Sequence, residues 1–189
     1  FPMSVDIEQK INIKDIKFPL IVCGRLNQPI KGILEFSEQI HAPIFVDPLS
    51  QMRFGFEHPN LISSYDLFLD SVHINPDLII RFGAKPISKK LNSLLDEWNT
   101  KSILIDECGR FNDDCSQVVS GSFDNAMSIL SNQIKLSDNK WMTSIQEIDK
   151  KTKQFVHDKI LDVWFEGNIA KLCLTSLKSD WNFVVGNSM

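Results

Sequence analysis

Basic side chains recur close behind the short apolar runs of this sequence, although the formal net charge of the chain is −4. If these runs are neighbouring parallel strands, their carboxyl ends meet at one edge of a sheet, which is where such sheets bind ligands. Guanidinium and ammonium groups gathered at that edge pair well with carboxylates and phosphates. The sequence therefore predicts anion binding by two candidate groups, which are Arg25, Arg53 and Arg81, and the pair Lys89 and Lys90.

Lys89 and Lys90 stand where a helical pattern begins, and Ser88 before them is a suitable cap for that helix. Lysines in a first helical turn oppose the helix dipole, so their presence suggests a use beyond local structure. Two alternatives remain open. The lysines could be ordinary solvated side chains, and acidic residues such as Asp47 and Asp106 could neutralise the arginines in ion pairs. Asp66, on a predicted helix face, is expected to be a surface charge.

Other chemistries find little support. The turn after the first apolar run carries a single glycine, Gly24, and not the G-x-G-x-x-G that brings a dinucleotide pyrophosphate close to the backbone. A P-loop sequence is absent. The four cysteines form no C-x-x-C pair and the four histidines are scattered, so we expect neither a zinc site nor a His-centred catalytic group. Cys108 and Cys115 could lie close together, but a structural disulfide is not expected.

The elements that must position the basic residues are short apolar strands alternating with amphipathic helices. Strands are predicted at 19–23, 43–46, 78–82, 102–105 and 117–119, and helices at 30–40, 61–69, 87–98 and 126–134. This alternation is typical of a parallel sheet covered on both faces. We therefore predict an α/β, Rossmann-like, doubly wound fold with a mainly parallel sheet of about five or six strands and helices on both faces.

Composition shifts divide the chain into three parts. Residues 1–17 are predicted to be an incoming linker or edge segment, 18–136 a central Rossmann-like domain, and 137–189 linker helices followed by the start of another α/β domain. From the composition shift at residue 135 onward, 135–153 is predicted to be a linker or long exposed helix, 154–177 a helix and 183–185 a strand. The absence of an initiator Met and the closing strand pattern lead us to expect a piece of a larger protein.

Charge and hydropathy exclude several settings for the protein. The acidic balance argues against nucleic acid and anionic membranes, and the longest apolar run, 18–23, is far too short to insert into a bilayer. A secretory signal pattern is not visible. We therefore expect a cytoplasmic protein.

Several of these segments together resemble the central domain of the MenD family, the 2-succinyl-5-enolpyruvyl-6-hydroxy-3-cyclohexene-1-carboxylate synthases of menaquinone (vitamin K2) biosynthesis. The resemblance covers residues 18–189 and is specific mainly through Asp-Pro-Leu-Ser and Gly-Asn-Ser-Met in order. The segments that carry it are Val22–Arg25, Phe45–Gly55, Tyr65–Asp66, Pro76–Gly83, Ser88–Leu91, Glu166–Gly167 and Phe183–Met189.

The resemblance implies a transferase that uses thiamine diphosphate and Mg²⁺, decarboxylates 2-oxoglutarate and adds the succinyl unit to isochorismate. It implies that Lys89 and Lys90 face substrate carboxylates, and that Asn187 and Ser188 line the site where the adduct forms. The catalytic glutamate and the G-D-G metal motif of this family belong to its other two domains, and neither occurs here. We therefore expect no catalytic or metal-binding residue in this chain, no cofactor bound to it alone, and an inactive fragment.

The implied partners are the remaining domains of the same polypeptide, in a homo-oligomer that is a dimer or tetramer. Two alternatives stay open. The chain could be a non-catalytic, small-molecule-binding Rossmann-like module, or the central domain of another thiamine-diphosphate enzyme.

Overall fold

The computed structural model describes residues 4–6, 13, 15–107, 115–134, 139–162, 165–178 and 180–181. In chain order its elements are β1 (Ser4–Asp6), β2 (Pro19–Cys23), α1 (Ile33–Gln39), β3 (Ile44–Val46), β4 (Leu61–Ile62), α2 (Tyr65–Phe68), β5 (Leu78–Phe82), α3 (Lys89–Glu97), β6 (Lys101–Asp106), β7 (Gln117–Ser120), α4 (Phe123–Gln133), α5 (Lys140–Asp162) and α6 (Glu166–Ser176).

The described strands form one sheet in which every pairing is parallel. The order is β1-β7-β6-β5-β2-β3-β4, so the direction of winding reverses between β2 and β5. This arrangement confirms the predicted doubly wound α/β fold. It has seven strands in the described ranges because β1 and β4 also join the sheet. The helix predicted at 61–69 was wrong at its start, where Leu61 and Ile62 pair with β3.

Alternate residues of the central strands enter two separate cores, which explains why the strands are apolar throughout. Ile21 and Cys23 of β2 pack on the face covered by α1 and α4. Leu20 and Val22 of the same strand pack on the opposite face, against α2, α3 and the first half of α5. All five residues of β2 and of β5 are buried. The two loops that leave these strands are therefore held by a rigid centre.

The first half of α5 closes the second face, so the prediction of a linker or exposed helix there holds only for its outer side. Ile145 is buried in the core on that face. The Trp141 indole Nε1 donates a hydrogen bond to the Pro19 carbonyl at 2.9 Å. Residues Phe1–Lys150 thus form one compact unit. The limits 1–17, 18–136 and 137–189 for the domains of the intact protein stay a prediction.

The second unit, Lys151–Met189, contains the end of α5 and all of α6. Its described apolar side chains are largely exposed, and α6 has no buried residue. The strand predicted at 183–185 lies outside the described residues. Within the described ranges, no helix has the length and apolar character needed to cross a membrane.

Candidate functional site

The residues Ser88–Lys90, which we call the basic turn, open α3 at the carboxyl edge of the sheet. Ser88 has an extended backbone (φ −62°, ψ 111°), and its hydroxyl accepts a hydrogen bond from the Leu91 amide at 3.0 Å. This is an N-cap, as the sequence predicted. The cap fixes where the helix begins and therefore where the two lysines are presented.

One of the two lysines, Lys90, is held by α2 and by the turn that follows it. The Lys90 ammonium donates to the Asp66 carbonyl oxygen at 2.8 Å and forms an ion pair with the Asp70 carboxylate at 2.5 Å. The Ser88 hydroxyl donates to the Asp66 carboxylate. Asp66 is exposed, as expected of a surface charge, but it also joins α2 to the basic turn. Lys89 is exposed, and in the described part of the chain its side chain makes no such contact.

Asp47, at the end of β3, holds the loop that leads into the basic turn. Its side chain is buried, and its two carboxylate oxygens accept hydrogen bonds from the amides of Leu49 at 2.9 Å and Ile87 at 2.8 Å. Charged acceptors make strong bonds to backbone amides, so this residue ties the loop after β3 to the loop after β5. Asp47 therefore fixes the backbone at Ile87, the residue before the N-cap of α3.

The three candidate arginines lie in different surroundings. Arg25 is exposed and lines a cleft of about 1080 Å³ that also includes Asp106 and Glu107. Arg81 is buried within β5. Arg53 lies near Tyr65, and its positive charge acts to lower the pKa of the Tyr65 phenol. Of the three, Arg25 alone is among the residues lining the cleft, and an anion site shared by all three stays a prediction.

Tyr65, the first residue of α2, is buried in the core on the second face of the sheet, and sequence reasoning overlooked it. Its ring stacks on Phe45 with centroids 4.9 Å apart and planes 5° from parallel. Burial raises the pKa of the phenol, the negative charges of Asp47 and Asp66 raise it further, and Arg53 opposes them. The hydroxyl is buried, and among the described residues it has no hydrogen-bond partner. Tyr65 therefore stays protonated at neutral pH; only its place in the family motif hinted at it.

At the point where the winding reverses, the loops after β2 and β5 are joined by backbone hydrogen bonds. Arg25 and Ala84 form an isolated antiparallel bridge, with N–O distances of 3.2 and 3.0 Å. A Cβ atom on Gly24 would overlap the carbonyl oxygen of Ala84. Glycine at position 24 therefore allows the two loops to approach closely. This role differs from that of the glycines that bind a pyrophosphate in dinucleotide-binding folds.

Two further predicted groups can be placed only in part. Asn187 and Ser188 lie outside the described residues, as does Cys108, while Cys23 is buried. Within the part of the chain that the structure describes, no group of three or more His, Cys, Asp or Glu side chains could hold a metal ion. The described residues therefore do not form a site that fits Mg²⁺, and we assign none of them to the cofactor.

Comparison with known proteins agrees with this architecture. Residues 8–183 match a family model described as the middle domain of thiamine pyrophosphate enzymes. The chain is 32% identical over 185 residues to a 2-succinyl-5-enolpyruvyl-6-hydroxy-3-cyclohexene-1-carboxylate synthase from Bacillus cytotoxicus, covering 90% of this chain and 31% of that protein. The enzyme of the same name from Staphylococcus haemolyticus is 29% identical over 193 residues, covering 96% and 34%.

A third relative of that name, from Staphylococcus aureus strain JH9, is 38% identical over 107 residues, which are 56% of this chain and 19% of that protein. The chain spans about a third of the length of the Bacillus cytotoxicus and Staphylococcus haemolyticus enzymes. The resemblance found in the sequence is thereby confirmed. The chain belongs to the family of thiamine pyrophosphate enzyme middle domains and is homologous to the MenD synthases.

Proposed function

We propose that this chain is the middle domain of a menaquinone-biosynthesis carboligase that decarboxylates 2-oxoglutarate and adds the succinyl unit to isochorismate. The observation that carries the proposal is homology along 90% of the chain to proteins named for the product of that reaction. The doubly wound fold supports it, because it brings the lysines of the basic turn to the edge of the sheet at which such folds bind ligands.

The contribution of this chain to such a reaction is electrostatic. Both proposed substrates are carboxylates, and Lys89 and Lys90 offer two ammonium groups on the first turn of α3. A charged hydrogen bond to a carboxylate orients the substrate as well as holding it. Asn187 and Ser188 are proposed to line the same site.

Thiamine diphosphate with Mg²⁺, when bound to the intact enzyme, supplies the electron sink for losing CO₂ from a 2-oxo acid. Its binding residues are proposed to lie in the other domains of the same polypeptide, in a cytoplasmic homo-oligomer. The isolated chain is accordingly proposed to be inactive. Titration calorimetry of the 189-residue chain with thiamine diphosphate and Mg²⁺ is expected to show no binding tighter than about 1 mM, a free energy of about −4 kcal/mol.

The test of the activity uses the full-length protein that contains this chain. With thiamine diphosphate and Mg²⁺ present, it is expected to consume isochorismate only when 2-oxoglutarate is added, with the coupled product identified by mass spectrometry. Pyruvate in place of 2-oxoglutarate is the control. Equal or better turnover of pyruvate would assign the chain to another thiamine-diphosphate enzyme. Absence of turnover with any 2-oxo acid would favour a non-catalytic binding module.

A further inference from the structure

Tyr65 is the one tyrosine of the chain, and its hydroxyl is buried. The phenol stacks on Phe45, while in the described part of the chain its oxygen meets no hydrogen-bonding group of the protein. Leaving a buried hydroxyl unpaired is costly, and nearly all such groups in folded proteins bond to protein or to ordered water. We infer that Tyr65 and Asp47 together bind one internal water molecule, which joins the phenol to the carboxylate.

This inference goes beyond the proposed function and does not depend on it. The acceptor of the water, the Asp47 side chain, is as deeply buried as the phenol. Each of its two carboxylate oxygens accepts one described backbone hydrogen bond, from the amide of Leu49 or of Ile87. A carboxylate offers about four acceptor positions, so Asp47 can accept a further bond from a water.

The sheet brings the donor and the acceptor close together. Phe45 packs in the core on the second face, and the Asp47 amide still bonds to the Cys23 carbonyl at 3.0 Å, so Asp47 continues the strand. Alternate residues of a strand share a face and lie about 6–7 Å apart. Tyr65 stacks on Phe45, and two hydrogen bonds through one water span about 5–6 Å. One water therefore matches the separation expected between the phenol and the Asp47 carboxylate.

A water molecule suits this pair of groups better than a metal ion. Burial raises the pKa of the Tyr65 phenol and the charges of Asp47 and Asp66 raise it further, so the phenol keeps its proton and acts as a donor. Water accepts that hydrogen bond and donates to a carboxylate at the same time, whereas a metal ion accepts none. Asp66 lies near enough to act on the phenol and offers the water a second acceptor. Internal waters typically make about three hydrogen bonds, which these groups supply.

The water site adds a third segment to a junction between two loops. Asp47 already ties the loop after β3 to the loop after β5, through the amides of Leu49 and Ile87. Tyr65 is the first residue of α2, so a water bound between Tyr65 and Asp47 connects α2 to the same junction. The thermal stability of the chain should therefore depend on the Tyr65 hydroxyl as well as on its ring.

Thermal denaturation of Tyr65→Phe in the 189-residue chain tests for the water through the sign of the effect. Loss of a bridging hydroxyl should lower Tm by about 2–5 °C. Loss of an unpaired hydroxyl should leave Tm unchanged or raise it, because an apolar ring then replaces an unsatisfied polar group. Ser37→Ala is the matched control, since its buried hydroxyl bonds directly to the Ala42 carbonyl at 2.6 Å and the Asn60 amide at 2.8 Å. It should also lower Tm. An unchanged or raised Tm in Tyr65→Phe would overturn the inference.

Oxygen-17 magnetic relaxation dispersion of the same chains counts their long-lived internal waters. Tyr65→Phe should hold one water fewer than the wild type, and Ser37→Ala the same number as the wild type. Equal counts in the wild type and Tyr65→Phe, or an equal fall in Ser37→Ala, would overturn the inference whatever the change in Tm. A crystal structure of the chain should then place the water within about 3.2 Å of both the Tyr65 hydroxyl and an Asp47 carboxylate oxygen. A protein group bonded directly to that hydroxyl would refute the site.

Discussion

The two compact units of the chain differ in how far their apolar side chains are exposed. In Phe1–Lys150, Leu20 and Ile79 are fully buried between a sheet and its helices. In Lys151–Met189, Ile169 and Leu172 on α6 are 52% and 55% exposed. Helix α5 shows the contrast within one element, since Ile145 in its first half is buried and Phe155 in its second half is 62% exposed. Apolar character alone therefore does not determine whether a side chain is buried. In this chain the buried apolar side chains are those that pack against the sheet.

The largest expected difference between the units comes from truncating an aromatic ring in each. Phe45→Ala should lower the free energy of unfolding by about 3–5 kcal/mol, because it empties a fully buried site stacked on Tyr65. Phe155→Ala, the matched control, should cost less than about 1 kcal/mol, since it loses an exposed ring and one contact with Lys159. Urea unfolding followed by circular dichroism measures both. Similar losses in the two variants would contradict the contrast.

A glycine in each unit offers the second comparison. Gly24→Ala should destabilise by about 1–3 kcal/mol or more, because the new methyl group meets the backbone carbonyl of Ala84, which cannot move without breaking the bridge to Arg25. Gly167→Ala should be near neutral or stabilising by less than about 1 kcal/mol, since its methyl group meets only the exposed Phe165 ring and alanine favours the helix. Thermal denaturation of the two variants would compare them, and a tolerated Gly24→Ala would show that the two loops are looser than described.

Two acidic residues of α5 sharpen the boundary between the units. The buried Asp149 carboxylate accepts hydrogen bonds from the Ser64 amide at 2.8 Å and its hydroxyl at 2.7 Å. Asp149→Ala should cost about 1–3 kcal/mol because it leaves buried donors unpaired. The control is Asp158→Ala on the exposed second half, where the loss of the Gln154 contact at 2.8 Å should cost less than about 0.5 kcal/mol.

Hydrogen exchange locates the effect of that first substitution. If Asp149 anchors the first half of α5, amides 141–150 should exchange faster in Asp149→Ala while those of α6 keep their rates. Equal acceleration of both segments would place the role of Asp149 elsewhere.

The smallest effect concerns thiol reactivity and leaves the fold unchanged. Burial raises the pKa of the Cys23 thiol, and alkylation requires the thiolate, so iodoacetamide should leave Cys23 unmodified in the native protein. The half-buried Cys115 and Cys173 should both be labelled before Cys23. Peptide mass spectrometry after a timed reaction gives the order. Labelling of Cys23 at the rate of Cys173 would mean that the sheet centre opens readily.

The raised pKa of Cys23 also makes the free energy of unfolding depend on pH. The Cys23 thiol stays protonated when folded, whereas the unfolded chain releases that proton above its ordinary pKa of 9.0. The stability that the protonated thiol contributes is therefore fully present below about pH 9 and declines as the pH rises further. A Cys23→Ser variant, although less stable for other reasons, should lose this alkaline dependence.

The local sequence pattern was enough to predict an element whose own residues define it. The continuous apolar run that ends at Gly83 predicted β5 at its observed limits, 78–82. Pattern was wrong at Leu61, because helical spacing of apolar residues continues from there into α2. The observed strand depends on pairing with Ile44 and Phe45, seventeen residues earlier in the chain. Strand formation there is decided by tertiary contact, which a local window does not contain.

The candidate site shows the same division. Ser88 as the cap of α3 and the lysines after it follow from residue types alone. The pairing of Lys90 with Asp70, twenty residues away, depends on how α2 and α3 pack on the sheet. The different surroundings of Lys89, which is exposed, and Lys90, which is paired with Asp70, therefore could not be predicted from two adjacent identical letters.

The bridge between Arg25 and Ala84 has a consequence for how the chain folds. Strands β2 and β3 are joined by a short crossover, and so are β5 and β6, but the β2–β5 pairing closes a separation of 59 residues from Pro19 to Leu78. Long loops cost more entropy to close, and pairings of high sequence separation slow folding. The two halves of the sheet should therefore form first, and their docking should limit the rate. The bridge, which requires both halves to be aligned, would be among the last backbone contacts to appear.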